Sequence, residues 1–227
     1  MFMVNHLNGF GVGGSDPSVT VSFQASYTDS SSATTYTFSG ASIGTAAADR
    51  KVVVGVVGTR AAAGTHTVAT MTIGGIAATL VKQQNVSHSD RQTAEIWQAD
   101  VPTGTTANIV VTFDAGMRGA GIGVYAVYGA ASAAYDTDGS NADPMSASID
   151  VPAGGILIGV GVNANGGTFA WTNLTEKYDE LYEALAPGNH TGASDAFAYA
   201  QTGLTITCDP SAVGSDNAMA LASWGLA

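Results

Sequence analysis

This sequence predicts an all-β protein, a β-sandwich or jelly roll of about ten strands built from two similar halves, with an extended N-terminal arm. Three features carry that expectation. Apolar runs are short, and Gly, Pro, Asp or Asn breaks them about every ten to fifteen residues. Val, Ile, Thr and aromatic residues dominate the runs, as a pleated and half-buried surface requires. The later part of the chain also repeats, in order, phrases found in the earlier part.

The expected strands follow the chain. VTVSFQASY (19–27), TYTFS (35–39) and KVVVGVV (51–57) come first. HTVATMTI (66–73) and AATLVKQ (77–83) flank the pair Gly74-Gly75, a tight hairpin signal. TAEIWQA (93–99), ANIVVTF (107–113) and GIGVYAVYG (121–129) complete the first set. MSASIDV (145–151), ILIGVGVNA (156–164), TFAW (168–171), SDAFAYA (194–200), LTITC (204–208) and AMALASWG (218–225) form the second. TEKYDELYEALAPG (175–188) is ambiguous, because Tyr178, Leu181, Tyr182 and Leu185 fall at helical spacing.

The repeat resolves that ambiguity. KVVVGVV is similar to GILIGVGV, TAEIWQA to SDAFAYA, NIVVTF to LTITC, and GIGVYAVYG to AMALASWGL. Ala94 and Trp97 answer Ala196 and Tyr199 at one offset, and His88 answers His190 at the same one. In that register AATLVKQ lies opposite LTEKYDE, so the ambiguous segment reads as a strand and a loop. The halves span about 35–130 and 145–227 inside a domain of residues 18–227, preceded by an arm of residues 1–17. A single five-stranded sheet leaves one apolar face bare, so the two sheets are expected to share one core.

Strand faces add a second expectation. Ile156, Ile158, Val160 and Val162 share one face, whereas Gly155, Leu157, Gly159 and Gly161 share the other. A branched face packs a core, and a glycine face admits a close neighbour. KVVVGVV is apolar on both faces. A two-sheet sandwich normally shows solvent one polar face per strand, so the surplus apolar surface is assigned to a neighbouring subunit of a homo-oligomer.

Composition narrows the function. Only 11% of the 227 residues are charged, and the net charge is −11. Seven scattered Lys and Arg residues argue against nucleic acid and anionic membranes. No apolar helix long enough for membrane insertion is expected, nor is a secretory signal. The lone Cys208 alternates with threonines and reads as a buried small hydrophobe.

No catalytic set emerges. There is no GxSxG elbow, phosphate loop or dinucleotide fingerprint. His6, His66, His88 and His190 read as tail and loop residues without metal-ligand spacing. In DTDGSNAD, Asp136, Asp138, Asn141 and Asp143 resemble a calcium loop only loosely and suit an acidic turn. Most other acids also fall in turns, so no metal, cofactor or catalytic residue is assigned. Trp97 and Trp224 read as core, while Trp171, Tyr178 and Tyr182 near a loop-rich rim are candidate contacts for a host-surface glycan.

NHLNGFGVGG, TFSGASIGTAAADRKVVVGVV, MTIGGIAATLV and EIWQADVPTGTTANIVVTF resemble structural proteins of tailed bacteriophages. The resemblance implies a virion subunit, in a head decoration, head spike or tail fibre. Its partners would be capsid proteins or neighbouring spike or fibre subunits. In such a part the arm would dock on a neighbour through Phe2, Met3, Val4, Leu7 and Phe10. Each buried anchor contributes about 1.5–3 kcal/mol, whereas ordering each arm residue costs about 1–2 kcal/mol. The arm therefore also needs backbone hydrogen bonds, as when it adds a strand to a sheet edge.

Overall fold

The computed structural model describes residues 18–60, 64–86, 91–183, 188–214 and 216–227. The arm, with Phe2, Met3, Val4, Leu7 and Phe10, lies outside the described residues, as do His6 and His88. Described residues form strands and no helix. In chain order the first nine are β1 (Thr20–Asp29), β2 (Ala33–Ser42), β3 (Lys51–Arg60), β4 (Val68–Ile73), β5 (Ile76–Ala77), β6 (Thr79–Val86), β7 (Arg91–Asp100), β8 (Thr106–Met117) and β9 (Gly119–Tyr128). The next eight are β10 (Asp136–Ser140), β11 (Met145–Val151), β12 (Gly155–Asn163), β13 (Phe169–Thr172), β14 (Glu176–Glu183), β15 (Gly188–Phe197), β16 (Gln201–Pro210) and β17 (Asn217–Trp224). The ambiguous segment is the strand β14, as the repeat required and the helical spacing did not.

The strands make four antiparallel sheets instead of two. Two five-stranded inner sheets run β1-β9-β3-β7-β6 and β10-β17-β12-β15-β14. Their orders match strand for strand in chain sequence. Two outer sheets run β2-β8-β4-β5 and β11-β16-β13. Each inner sheet is covered on one face by its own outer sheet and on the other by the second inner sheet. Between β4 and β5, Gly74 (φ 61°) and Gly75 (φ 81°) both take left-handed backbone, which makes the primed hairpin turn expected of that pair.

Three apolar layers result, where the sequence suggested one. In the first, Val52, Val54 and Val56 of β3 pack with Tyr36, Ile109 and Phe113 of the outer sheet. In the central layer, Val53 and Val57 of the same strand meet Ile156, Ile158, Val160 and Val162 of β12. In the third, Leu157 and Leu221 meet Ile149, Ile206 and Cys208. The two-sided apolar strands are thus covered within the chain, so the surplus assigned to a neighbouring subunit is already buried. The branched face of β12 fills the central layer. Its glycine face receives the Trp171 ring at Gly159 and the Cys208 sulfur at Gly161.

The two inner sheets mesh closely. β1 lies against β14 and β6 against β10, with β3 crossing β12 between them. A Cβ placed on Gly55 would stand 2.2 Å from Val160 Cγ2, and one on Gly123 would stand 2.3 Å from the Tyr178 ring. Gly192 and Gly121 likewise receive Tyr125 and His190. The residue-level match of the repeat is offset from this arrangement. Trp97 is buried within β7, whereas Tyr199 lies beyond the end of β15 and is 81% exposed.

This meshing predicts a coupled pair. Gly55→Ala should cost about 1–3 kcal/mol in denaturant unfolding, the usual penalty of overpacking. The Gly55→Ala/Val160→Ala variant should be at least about 1 kcal/mol more stable than the sum of the two single effects. Additive losses would show that Val160 does not occupy the hollow at Gly55.

Candidate functional site

Arg50 braces a polar groove at the surface. Its side chain is buried, and three backbone carbonyls take its guanidinium protons: Val101 O at 2.8 Å, Gly44 O at 2.6 Å and Thr103 O at 2.7 Å. A buried cation requires such compensation. The bonds pin the chain after β2 to the chain after β7. Tyr128 adds a fourth tie by donating its hydroxyl to Thr45 O at 2.8 Å. A groove of about 500 Å³ results, lined by Ser22, Gln24, Ser42, Thr45, Thr105 and Tyr128. Hydroxyls, one amide and one phenol line it, and no charged side chain does. Such a surface suits a neutral, hydroxyl-rich ligand. Sequence reading missed it, because it joins three loops and strand ends that are distant in the chain.

The expected sugar contacts do not assemble into a surface. Tyr178 is 7% and Tyr182 is 1% exposed, both in the central layer. Tyr182 donates to Gln92 Oε1 at 2.5 Å, and burial pushes the Tyr178 phenol pKa far up. Strand alternation turns both rings inward, where the helical spacing left their direction undecided. Trp171 is half-buried over β12 and donates from Nε1 to Thr191 Oγ1 at 2.9 Å. These three residues therefore offer no shared face to a ring ligand.

His190 is a second correction. It lies inside β15, fully buried against Tyr178 and Tyr182, and not in a loop. Its Nε2 stands 3.8 Å from Glu180 Oε2, beyond hydrogen-bond range, and neither ring nitrogen has a hydrogen-bond partner. Burial pulls the His190 pKa below its usual value, which leaves the ring neutral. The facing imidazole and the Ser26 hydroxyl, at 2.6 Å, hold the Glu180 carboxyl below the usual carboxylate range.

Glu95 occupies the equivalent depth in the first apolar layer. Its carboxylate takes protons from Val68 N, Thr93 Oγ1 and Trp97 Nε1, each at 2.8 Å. Burial still raises its pKa. Nothing in this arrangement opens to a substrate, so Glu95 ties β7 to β4. Cys208 is fully buried, and burial raises its thiol pKa well above the ordinary value, so it stays protonated.

The acidic segment is tied into strands and turns. Asp136 and Asp138 lie in β10 and accept protons from Asp150 N (2.8 Å) and Ser148 N (3.0 Å) of β11. Asp143 accepts one from Gly214 N at 2.9 Å. These oxygens are occupied by backbone donors. Among the described residues no group of three or more acidic, His or Cys side chains could hold a metal ion.

No family model and no curated protein matches the sequence. Among solved structures, the C-terminal domain of the AgI/II polypeptide BspA of Streptococcus agalactiae is similar at 10% identity, over 77% of this chain and 75% of that one, with a TM-score of 0.19. That score is too low to inform either fold or function.

The buried imidazole predicts an acid-sensitive fold. With its folded pKa depressed, the unfolded chain takes up the proton first. Stability from His190 is present above the usual histidine value of about 6.5 and is lost as pH falls through the lower folded value. Unfolding measured from pH 7 to 5 should show a loss of up to about 1.4 kcal/mol per pH unit from this group. His190→Gln should flatten that slope, and equal slopes would assign the sensitivity elsewhere.

Proposed function

We propose that this chain is a structural protein of a bacteriophage virion, on the particle exterior as capsid decoration or head spike, docked through its N-terminal arm. The observation that carries the reading is how the chain spends its polar groups. Arg50, Glu95, Asp136, Asp138 and Asp143 all bind backbone across strands or loops. They fasten each inner sheet to its own outer sheet and tie neighbouring loops together, as suits a passive load-carrying part. The matching strand orders support a duplicated jelly-roll unit, in which the two copies cover each other's inner faces. Homo-oligomeric assembly belongs to this proposal through the arm, because the apolar strand faces are already covered.

Deletion of residues 2–14 should leave a protein with an unchanged unfolding transition that is missing from purified virions. Mass spectrometry of the particles checks incorporation, and denaturant unfolding of the purified truncated chain checks the fold. Absence of the full-length chain from virions overturns the virion role, and normal incorporation of the truncated chain overturns the docking role of the arm.

A second reading, a carbohydrate-binding adhesin or receptor-binding subunit of a fibre or spike, is favoured by the neutral groove beside Tyr128. On a glycan array the protein should retain a neutral sugar, and Tyr128→Ala should weaken it about tenfold through loss of one aromatic face. An array without signal removes this reading.

A further inference from the structure

We infer that Glu180 is a two-position latch worked by acid: at neutral pH it ties the two inner sheets together through Ser26, and in acid it turns to His190 and lets their shared margin open. Glu180 stands on β14, an edge strand of the second inner sheet. Ser26 stands on β1, an edge strand of the first, and donates its hydroxyl proton to Glu180 Oε1 at 2.6 Å. That bond crosses the central layer. His190 belongs to β15 and is the direct cross-strand partner of Glu180, so a bond between these two would stay within one sheet. At 3.8 Å, Glu180 Oε2 and His190 Nε2 are just beyond hydrogen-bond range. One carboxylate thus faces two partners, one across the layer and one beside it.

The surroundings of His190 leave it no other partner. The ring is fully buried, and neither nitrogen is hydrogen-bonded. It lies against Gly121 of β9, where an added Cβ would stand 2.7 Å from its Cε1. β14 presents Glu180 and the rings of Tyr178 and Tyr182, at 4.9 and 5.7 Å. Asp179 of the same strand is engaged by Phe169 N of β13, and Asp195 of β15 by Thr175 N. β12 presents Val162, which pairs with His190, and β3 presents Val57, which pairs with Gly121. Arg60, at the end of β3, turns to His66. β9 adds Tyr125, whose phenol burial keeps protonated. On β1, Asp29 is taken by Ser31 N and the Tyr27 hydroxyl by Ser42 N. On β7, Gln92 accepts from Tyr182, and Glu95 belongs to the first apolar layer. Among the described residues, Glu180 is therefore the carboxylate that faces the imidazole.

Acid changes which partner is stronger. A proton on His190 creates a buried cation, and a buried charge left unpaired costs far more than one neutral hydrogen bond. Nε2–H then donates to Glu180, and the Ser26 bond is given up. Ser26 loses little, because it is half-buried at an edge and its hydroxyl takes water instead. Burial pulls the His190 pKa down, and Glu180 is held below the usual carboxylate range. The handover therefore falls below the usual histidine value of about 6.5, with Glu180 still ionised. What then joins β1 to β14 here is the stack of Phe23 on Tyr178, with ring centroids 5.4 Å apart. β14 pairs on one side alone, and two register shifts interrupt that pairing, so it is the strand placed to move first. The latch does not depend on whether the chain belongs to a virion.

Amide hydrogen exchange of the full chain at pH 7 and pH 5 tests the latch, with rates expressed as protection factors to remove the intrinsic effect of pH. In acid, protection in β1 and β14 should fall about tenfold further than in β3 and β12. His190→Gln should abolish that extra loss. Ser26→Ala should lower protection at the margin already at pH 7 and leave it little changed by acid. If His190→Gln does not fold, the Ser26→Ala comparison carries the test. An equal loss in all sheets, or no loss at the margin, overturns the latch. So does a gain in protection there, the result expected if Glu180 held both partners at once. A full acid response in either variant overturns it as well.

Discussion

The central layer depends on glycines that leave room for the opposite sheet. Val160 enters the hollow at Gly55, and Tyr178 enters the one at Gly123. Tyr125 and His190 fill the hollows at Gly192 and Gly121, so each inner sheet both gives and receives side chains. Sheets stacked face to face normally sit about 10 Å apart, with side chains of both filling the gap. Here rings as large as tyrosine fit that gap because the facing strand carries no Cβ at the point of contact. A shift of either sheet by one residue would set those rings against residues that carry a Cβ, such as Ile122, Val124, Thr191 or Ala193. The relative placement of the inner sheets is therefore fixed sterically, and the outer sheets are positioned on them.

Polar pairs at the same layer add register. Gln92 meets Tyr182, Gln98 meets Trp224 Nε1 at 3.0 Å, and Ser26 meets Glu180. Each joins an early strand to a late one across the layer. A misplaced docking would leave several buried donors without acceptors, each costing about 1–3 kcal/mol. The layer is not perfectly compensated, since the hydroxyls of Tyr125 and Tyr178 and both nitrogens of His190 lack partners. Those groups cluster where β14 and β15 meet β1 and β9.

A chain so poor in charge uses its ions sparingly and locally. Several acids staple strands and turns to one another through backbone amides. Asp150 accepts Gly203 N at 2.6 Å, Asp179 accepts Phe169 N at 2.9 Å, and Asp195 accepts Thr175 N at 2.7 Å. Charge-assisted bonds to backbone amides are stronger than neutral ones, so a few of them hold strand ends and turns that contribute little apolar burial. The edge strand β14, with Glu176, Asp179 and Glu180, is also charged enough to discourage pairing with another sheet.

Much of this architecture is written in local pattern. Alternation and β-branched runs specify strands, the Gly74-Gly75 pair specifies its turn, and the order of repeated phrases turns an apparently helical stretch into β14. Two-sided apolarity in KVVVGVV correctly signals a strand covered on both faces. What covers it could not be read there, because burial by a neighbouring sheet and by a neighbouring subunit leaves the same pattern. The inward turn of Tyr178 and Tyr182 and the full burial of His190 also depended on which face of β14 and β15 met the other inner sheet. The groove beside Tyr128 escaped notice for a related reason. Arg50 and Tyr128 lie far apart along the chain and share no spacing, and long-range strand pairing alone brings them together.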